Sequence, residues 1–309
     1  MKVFNLKGHA AMLGANTMWG LMAPVAKMVM AAGIVSPLLM TSFRILGAAL
    51  LFWTASLFVP DEKVPPRDLL LMAGAAMLGI LFNQGCYVFG VGFTSPGEAS
   101  IITTTMPLWV MVFAAFILGE PITLKKIGGI VLGATGALIL VLGASKTGAR
   151  GDNPTLGDIL VLTAQISYAL YLTFYRNFIK KYSVVTLMKW MFTFASVAIL
   201  PVSIGTMAST SWGAFTLREI LGVGYVVFFA TFLSYICVMV GQKNLRPTLV
   251  GMYNYVQPIV ASCVGIWLGL DVVTFPKVVA VALIFTGVFL VTISKAAPQD
   301  EPAHSGRPG

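Results

Sequence analysis

The chain has 309 residues, 58% of them hydrophobic and 10% charged, against roughly 45–50% and about 25% in a soluble globular domain. So few charges cannot cover a globule of this length in water, and with a mean hydropathy of +0.89 the solvent for most of the chain is read as lipid. The net charge of +9 arises from 20 Lys and Arg against 11 Asp and Glu, scattered singly between apolar runs rather than gathered on one face, so no nucleic-acid partner is expected.

In chain order, clusters of charge, Pro and Gly separate apolar runs at 8–31, 38–59, 69–93, 97–118, 124–143, 156–177, 184–207, 217–242, 246–268 and 274–294. Each run suits a spanning helix of about 20 residues. All are too long and too uniformly apolar for the alternating strands of a membrane barrel. The first follows Lys2 and Lys7 but lacks a small-residue cleavage site, so it is read as a retained span. The segment Ala296–Gly309 carries Pro, Gly and charge without apolar period and is expected to be a disordered cytoplasmic tail. The fold class is therefore an all-α integral membrane protein with ten transmembrane helices.

Basic residues between spans set the orientation. With the N-terminus inside, 13 fall on the cytoplasmic side (Lys2, Lys7, Lys63, Arg67, Lys125, Lys126, Arg176, Lys180, Lys181, Lys243, Arg246, Lys295 and Arg307). Four fall outside (Lys146, Arg150, Arg218 and Lys277), and Lys27, Arg44 and Lys189 sit within spans. Both termini are expected in the cytoplasm.

A shift of 151 residues lays Cys86 on Cys237, Pro96 on Pro247, Pro107 on Pro258, Glu120 on Asp271, Thr123 on Thr274, Lys126 on Lys277 and Gly136 on Gly287. A shift of 149 lays Asn16 on Gln165, Trp19 on Tyr168 and Lys27 on Arg176. Five spans per half is an odd number, so the second half enters the membrane in the opposite sense. The domains expected are two inverted five-helix repeats, 1–145 and 156–295, followed by the tail 296–309.

Several stretches carry a resemblance. Asn16-Thr17-Met18-Trp19-Gly20, Arg44 early in the second span, Thr94-Ser95-Pro96-Gly97-Glu98-Ala99-Ser100, Pro107, Leu118-Gly119-Glu120-Pro121 and Gly128/Gly136 resemble the EamA-type branch of the drug/metabolite transporter superfamily. The resemblance covers nearly the whole chain in two copies. It implies a central cavity lined largely by helices 1, 3, 4, 6, 8 and 9. The second copy departs from it: Phe192 or a neighbour replaces the arginine, and Leu270-Asp271-Val272 stands where Gly-Glu-Pro stands in the first.

Polar side chains near mid-span fall on those same six helices: Asn16, Asn83, Gln84, Thr103, Gln165, Tyr235, Asn254 and Gln257. Unpartnered amides in hydrocarbon cost several kcal/mol each, so they must face one another, water or a substrate. Because both halves carry them at equivalent positions (Asn16 with Gln165, Thr103 with Asn254, Asn83 with Ser234, Gln84 with Tyr235), they are read as a substrate site at the repeat interface. Trp19, Tyr168 and Tyr235 add aromatic surface beside the set. Pro107 and Pro258, read as lying about halfway along their helices, each remove a backbone hydrogen bond and are read as gating bends. Arg44 and Glu98 are read as a structural or gating pair at the outer side, with Glu98 as a proton site the rival reading, while Lys27 and Lys189 are close enough to helix ends to snorkel.

Catalytic readings fail on inventory. His9 and His304 are the only histidines, and no metalloprotease, hydrolase or phosphate-loop signature is present. Cys86, Cys237 and Cys263 have neither disulfide nor zinc spacing, so no catalytic residue, metal or cofactor is expected. The function read from the sequence is a secondary transporter, an exporter of a small polar or amphipathic metabolite in the inner (plasma) membrane, working by alternating access as a monomer or weak homodimer. The rival readings are a passive channel or facilitator for small solutes and a non-transporting membrane sensor.

Overall fold

The computed structural model of the protein describes residues 5–30, 33–93, 102–143, 153–267 and 273–294, which form helices and no strand. The helices are α1 (Leu6–Met30), α2 (Pro37–Ser56), α3 (Pro66–Ala76), α4 (Asn83–Phe93), α5 (Met106–Leu118), α6 (Leu124–Gly143), α7 (Pro154–Phe174), α8 (Val184–Ser209), α9 (Leu217–Val227), α10 (Ser234–Asn244), α11 (Pro247–Met252), α12 (Val256–Trp267) and α13 (Phe275–Thr292). Single π-helical turns join α3 to α4 (Met77–Phe82) and α9 to α10 (Phe228–Leu233), and a 3-10 turn at Tyr253–Tyr255 joins α11 to α12. Six stretches are long and apolar enough to cross a membrane: Pro37–Ser56, Pro66–Gly90, Thr155–Phe174, Val184–Ser209, Leu217–Asn244 and Phe275–Thr292. Met106–Leu118 is a shorter apolar helix. Glu98 with the rest of Thr94–Ser100, Asp271, Lys146, Arg150 and the tail from Ala296 lie outside the described residues.

Helix ends follow local chemistry. Ser36, Asn153 and Ser183 cap α2, α7 and α8 by accepting from Leu39 N, Leu156 N and Thr186 N, each at 3.2 Å. Pro37, Pro66, Pro154 and Pro247 open their helices, where a missing N–H costs nothing. Gly119 ends α5 with φ 65°, the left-handed conformation that glycine adopts without a Cβ clash.

Packing follows a two-fold rule. The shift of 151 carries the first π turn onto the second, residue for residue. It makes α3 and α4 the counterparts of α9 and α10, and α5 the counterpart of α12; α1, α2 and α6 correspond in order to α7, α8 and α13. Helix α1 packs on α10 and α12, and its counterpart α7 packs on α4 and α5; α8 packs on α3, and α2 on α9. The pairs α2–α8 and α6–α13 join counterparts directly. Exchanging the halves maps this set of contacts onto itself.

Small residues let the last of these pairs close. A Cβ at Gly136 would stand 2.5 Å from the Ala280 carbonyl oxygen, and one at Gly129 would stand 2.7 Å from that of Gly287. The same shift carries the first pair of residues onto the second, since Gly136 corresponds to Gly287 and Gly129 to Ala280. Close backbone approach of this kind is how helices associate where hydrophobic burial gives no drive.

The two prolines sit differently from the mid-helix kinks expected of them. A turn at Thr104–Thr105 precedes α5, so Pro107 is its second residue, and Pro258 is the third residue of α12, just past the 3-10 turn. The regular α-helix is interrupted before each proline rather than at it, because proline fits the first turn of a helix but clashes within one.

Candidate functional site

Four groups of side chains, built from both halves, run from the centre of the molecule toward one end. The first lies on the two-fold axis. Gln84 Nε2 donates to Tyr235 Oη at 2.6 Å, and Tyr255 Oη donates to the Thr104 carbonyl at 3.1 Å; the partners in each bond are 151 residues apart. Residues that touch their own repeat counterparts must lie at the axis. The amide of Gln84 is buried and its second polar atom, Oε1, has no partner among the described residues; turning the amide over would only exchange which atom is left. Trp19 and Phe192 meet the Tyr235 ring edge-on at 5.9 and 5.2 Å.

The π turns shape this centre. Widening the helix frees carbonyls from the usual ladder, and each turn has one taken by the other half: Ser167 Oγ donates to Leu78 O at 2.8 Å, and Trp19 Nε1 to Ala230 O at 3.0 Å. Arg44 on α2 is 5% exposed. Its Nε donates to Thr231 Oγ1 at 3.1 Å within the second π turn.

A second group joins α1 to α12. Gln257 Nε2 donates to Asn16 Oδ1 at 3.0 Å and to Asn254 Oδ1 at 3.4 Å; Asn254 Nδ2 in turn reaches Met106 Sδ at 3.1 Å. On the counterpart side Asn83 Nδ2 donates to Ala164 O at 3.1 Å, beside the buried Gln165. Thr103 is half-buried just before the break that precedes α5.

The third group follows one stripe of α7. Tyr168, Tyr171 and Tyr175 follow one another with ring centroids 5.7 and 6.2 Å apart and ring planes tilted by 31° and 30°. Tyr171 Oη donates to Gln242 Oε1 at 3.1 Å, and Gln242 Nε2 donates to Tyr168 Oη at 3.4 Å. Leu172, Arg176, Gln242, Leu245 and Pro247 line a shallow crevice beyond them.

The fourth group closes the end where α7 and α10 finish. Lys126 Nζ lies 2.7 Å from Glu120 Oε2, which also accepts from Thr248 Oγ1 at 2.9 Å, and Arg176 Nη1 lies 4.0 Å from Glu120 Oε1. All four residues are buried. Around them Lys181 and Tyr182 bond Asp68, Lys243 donates to the Tyr182 carbonyl, and both oxygens of Glu62 accept from Ser183 N. Burial works to raise the Glu62 carboxyl, but the bonds from Thr186 and Ser183 outweigh it and hold the group below its ordinary value. Asp68 holds the Lys181 ammonium above the usual lysine range. The opposite end is tied, among the described residues, by an apolar cluster of Val29, Val35, Leu39, Met40 and Val226.

The EamA-like transporter family matches this chain twice, over residues 6–142 and 155–293. The chain belongs to that family. It is a multi-pass membrane transporter with the two-repeat EamA architecture. Among its EamA-type relatives, the uncharacterized inner membrane transporter YedA of Escherichia coli strain K12 is 28% identical over 264 residues, covering 84% of this chain and 82% of its own. An uncharacterized transporter of Archaeoglobus fulgidus is 22% identical over 279 residues, covering 89% and 95%. A crystal structure described only as that of a protein superposes with a TM-score of 0.76 over 93% of this chain and 98% of its own, at 17% identity, a likeness of fold.

Against this EamA frame, the expected site residues separate into sets. The structure brings together Gln84, Tyr235 and Trp19 in one, Asn16, Asn254 and Gln257 in another, and places Tyr168 with Gln242. Gln165 makes no hydrogen bond to the described residues, and Asn83 bonds only backbone. Sequence reasoning gave Gln242 and Tyr171 no place in the site, and it used Glu120, Lys126 and Arg176 only in the repeat ladder, the family resemblance and the count of basic residues by side. The signal available for the latter was the repeat itself, since Glu120 and Lys126 fall on Asp271 and Lys277, and Arg176 on Lys27.

Proposed function

We propose that this EamA-family chain is a secondary exporter, with ten spans in two inverted repeats and both termini in the cytoplasm of an inner-membrane-bounded cell. It moves a small polar or amphipathic metabolite by alternating access. The observation that carries the reading is the pair of axis contacts, Gln84 with Tyr235 and Tyr255 with Thr104, each 151 residues apart. A site built on such an axis meets either face of the membrane when one repeat rocks against the other.

Under this orientation the end carrying Glu120, Lys126, Arg176 and Thr248 is cytoplasmic. The cluster joins the first repeat to the second, and it acts as an inner lock that separates the site from the cytoplasm. Asn16, Gln84, Gln165 and Gln257 contribute to one substrate site, with Trp19, Tyr168 and Tyr235 as its aromatic walls. The breaks before Pro107 and Pro258 serve as bends about which α5 and α12 move.

A metabolite efflux screen in proteoliposomes, run with and without a pH gradient and followed by counterflow of each hit, tests the reading. A carrier gives transient uphill exchange driven by unlabelled substrate, and alanine at Asn16, Gln84, Gln165 or Gln257 weakens its apparent affinity while folded protein persists in the membrane. Flux without counterflow refutes alternating access in favour of a channel. Unchanged affinity in all four variants removes the site.

A further inference from the structure

Arg44 is expected to pair with Glu98, which lies outside the described residues, and the transport reading gives it no other part. A guanidinium stays charged at any physiological pH and carries five N–H donors, yet among the described residues its one hydrogen bond is from Nε to the neutral hydroxyl of Thr231, at 3.1 Å. Thr231 itself donates to Val226 O at 2.8 Å. Three other buried cations have countercharges: Lys126 and Arg176 share Glu120, and Lys189 reaches Asp61 at 3.8 Å. No carboxylate lies within ion-pair distance of Arg44 among the described residues. A cation in the interior of a membrane protein without a counter-ion is strongly disfavoured, so the four N–H groups on its terminal nitrogens call for an acceptor that the described residues do not supply.

The surroundings specify the rest. Tyr87 and Tyr235 lie close to Arg44, and Tyr235 is the axis residue that bonds Gln84. Across the axis the repeat shift puts Phe192 or a neighbour where the first half has arginine. Phe192 is fully buried, stacks on Phe52 at 5.5 Å and meets Tyr235 edge-on. One side of the centre is therefore cationic and the other aromatic.

We propose that Arg44 is the anion-binding group of the transport site and that the cargo is an amphipathic organic anion, its carboxylate on Arg44 and its apolar body against the Phe192–Tyr235–Trp19 side. The proposal rests on the transport reading for the word cargo, but not for the binding of the anion.

Three probes of one shape and different charge test it: phenylacetate, phenylacetamide and phenethylammonium, titrated against purified full-length protein by tryptophan fluorescence and calorimetry. Phenylacetate should bind about tenfold or more tighter than either other probe, the discrimination expected of one charge-assisted hydrogen-bonded pair. Arg44→Gln should erase the preference and Arg44→Lys should keep it. Equal binding of all three, no binding of phenylacetate up to about 10 mM, or a preference that survives Arg44→Gln overturns the proposal. If Arg44→Gln does not fold, the wild-type panel decides alone. Counterflow of labelled phenylacetate in proteoliposomes separates the two claims: anion preference without counterflow refutes the carrier and leaves the site, whereas counterflow of phenethylammonium alone refutes the site and leaves the carrier.

Discussion

Glu120→Gln is the sharpest test of the inner lock. The carboxylate is 3% exposed, takes Lys126 at 2.7 Å and Thr248 at 2.9 Å, and has Arg176 at 4.0 Å. Glutamine keeps the volume and one acceptor but removes the charge, so two buried cations face each other without a counter-ion. Breaking a buried pair by removing one partner costs about 3–5 kcal/mol, and with two cations stranded the upper part of that range is expected. Lys126→Met should be milder, at or below the lower end of that range, because Glu120 keeps Thr248 and Arg176. The double variant should cost less than the sum, since Lys126 is a liability once Glu120 is neutral. Thermal unfolding in one detergent at a fixed heating rate measures the order. Opening of the lock is read separately by the rate at which an impermeant maleimide, added from the cytoplasmic face, labels Gln242→Cys in a chain whose Cys86, Cys237 and Cys263 are alanine. Glu120→Gln should label faster. If Lys126→Met destabilises as much as Glu120→Gln, or labelling does not change, the cluster is not a lock held by Glu120.

Neighbouring glycines on α6 give a paired control: a Cβ at Gly129 would overlap the Gly287 carbonyl at 2.7 Å, whereas one at Gly128 meets nothing within 4 Å. Gly129→Ala should therefore lower the unfolding temperature by an overpacking cost of about 1–3 kcal/mol, and Gly128→Ala should be neutral or gain up to about 1 kcal/mol of helix propensity; equal effects would refute the close α6–α13 approach. Glu62 has a folded value below its ordinary 4.5, so its contribution is complete above pH 4.5 and is lost as pH falls through the lower folded value. Unfolding temperature measured from pH 7 to pH 3.5 should fall more steeply for the wild type than for Glu62→Gln, and parallel curves would contradict the assignment. A reporter active only in the cytoplasm, fused after Ala296, should give signal; signal solely from an external reporter there would overturn the orientation.

Much of the fold is written in the sequence because lipid imposes few solutions. Runs expected at 124–143 and 184–207 correspond to helices at Leu124–Gly143 and Val184–Ser209, and the 151-residue ladder reappears as axis contacts. The π turns were not legible: Met-Leu-Gly-Ile-Leu-Phe and Phe-Phe-Ala-Thr-Phe-Leu share no identity, and only the carbonyl partners Ser167 and Trp19 reveal why both widen. Counting only basic residues by loop passed over Glu120, and a residue four positions before a helix start reads as exposed until Thr248 and Arg176 of the other repeat are seen to cover it. Lys189 behaved as its position implied. Its ammonium reaches Asp61 at the helix end and lies over the Trp53 ring at 4.7 Å.

Duplication accounts for the symmetry, and the axis accounts for where it breaks. Away from the axis, corresponding residues see equivalent surroundings, so Gly129, Gly136 and Gly287 stay small and Ala280 nearly so. On the axis a residue meets its own counterpart, and two identical side chains there must share one space and one hydrogen-bond polarity. Both axis contacts resolve this the same way: the second repeat supplies the tyrosine, Tyr235 or Tyr255, and the first supplies the smaller partner, the Gln84 amide or the Thr104 carbonyl. The ring of Tyr255 then fits against Gly133, where a Cβ would stand 2.5 Å away. The polar centre of this transporter is therefore chemically lopsided although its scaffold is symmetric, with Arg44 on one side and Phe192 on the other. A carrier needs that combination, because rocking requires two halves of equal shape while recognition of an asymmetric solute requires two halves of unequal chemistry.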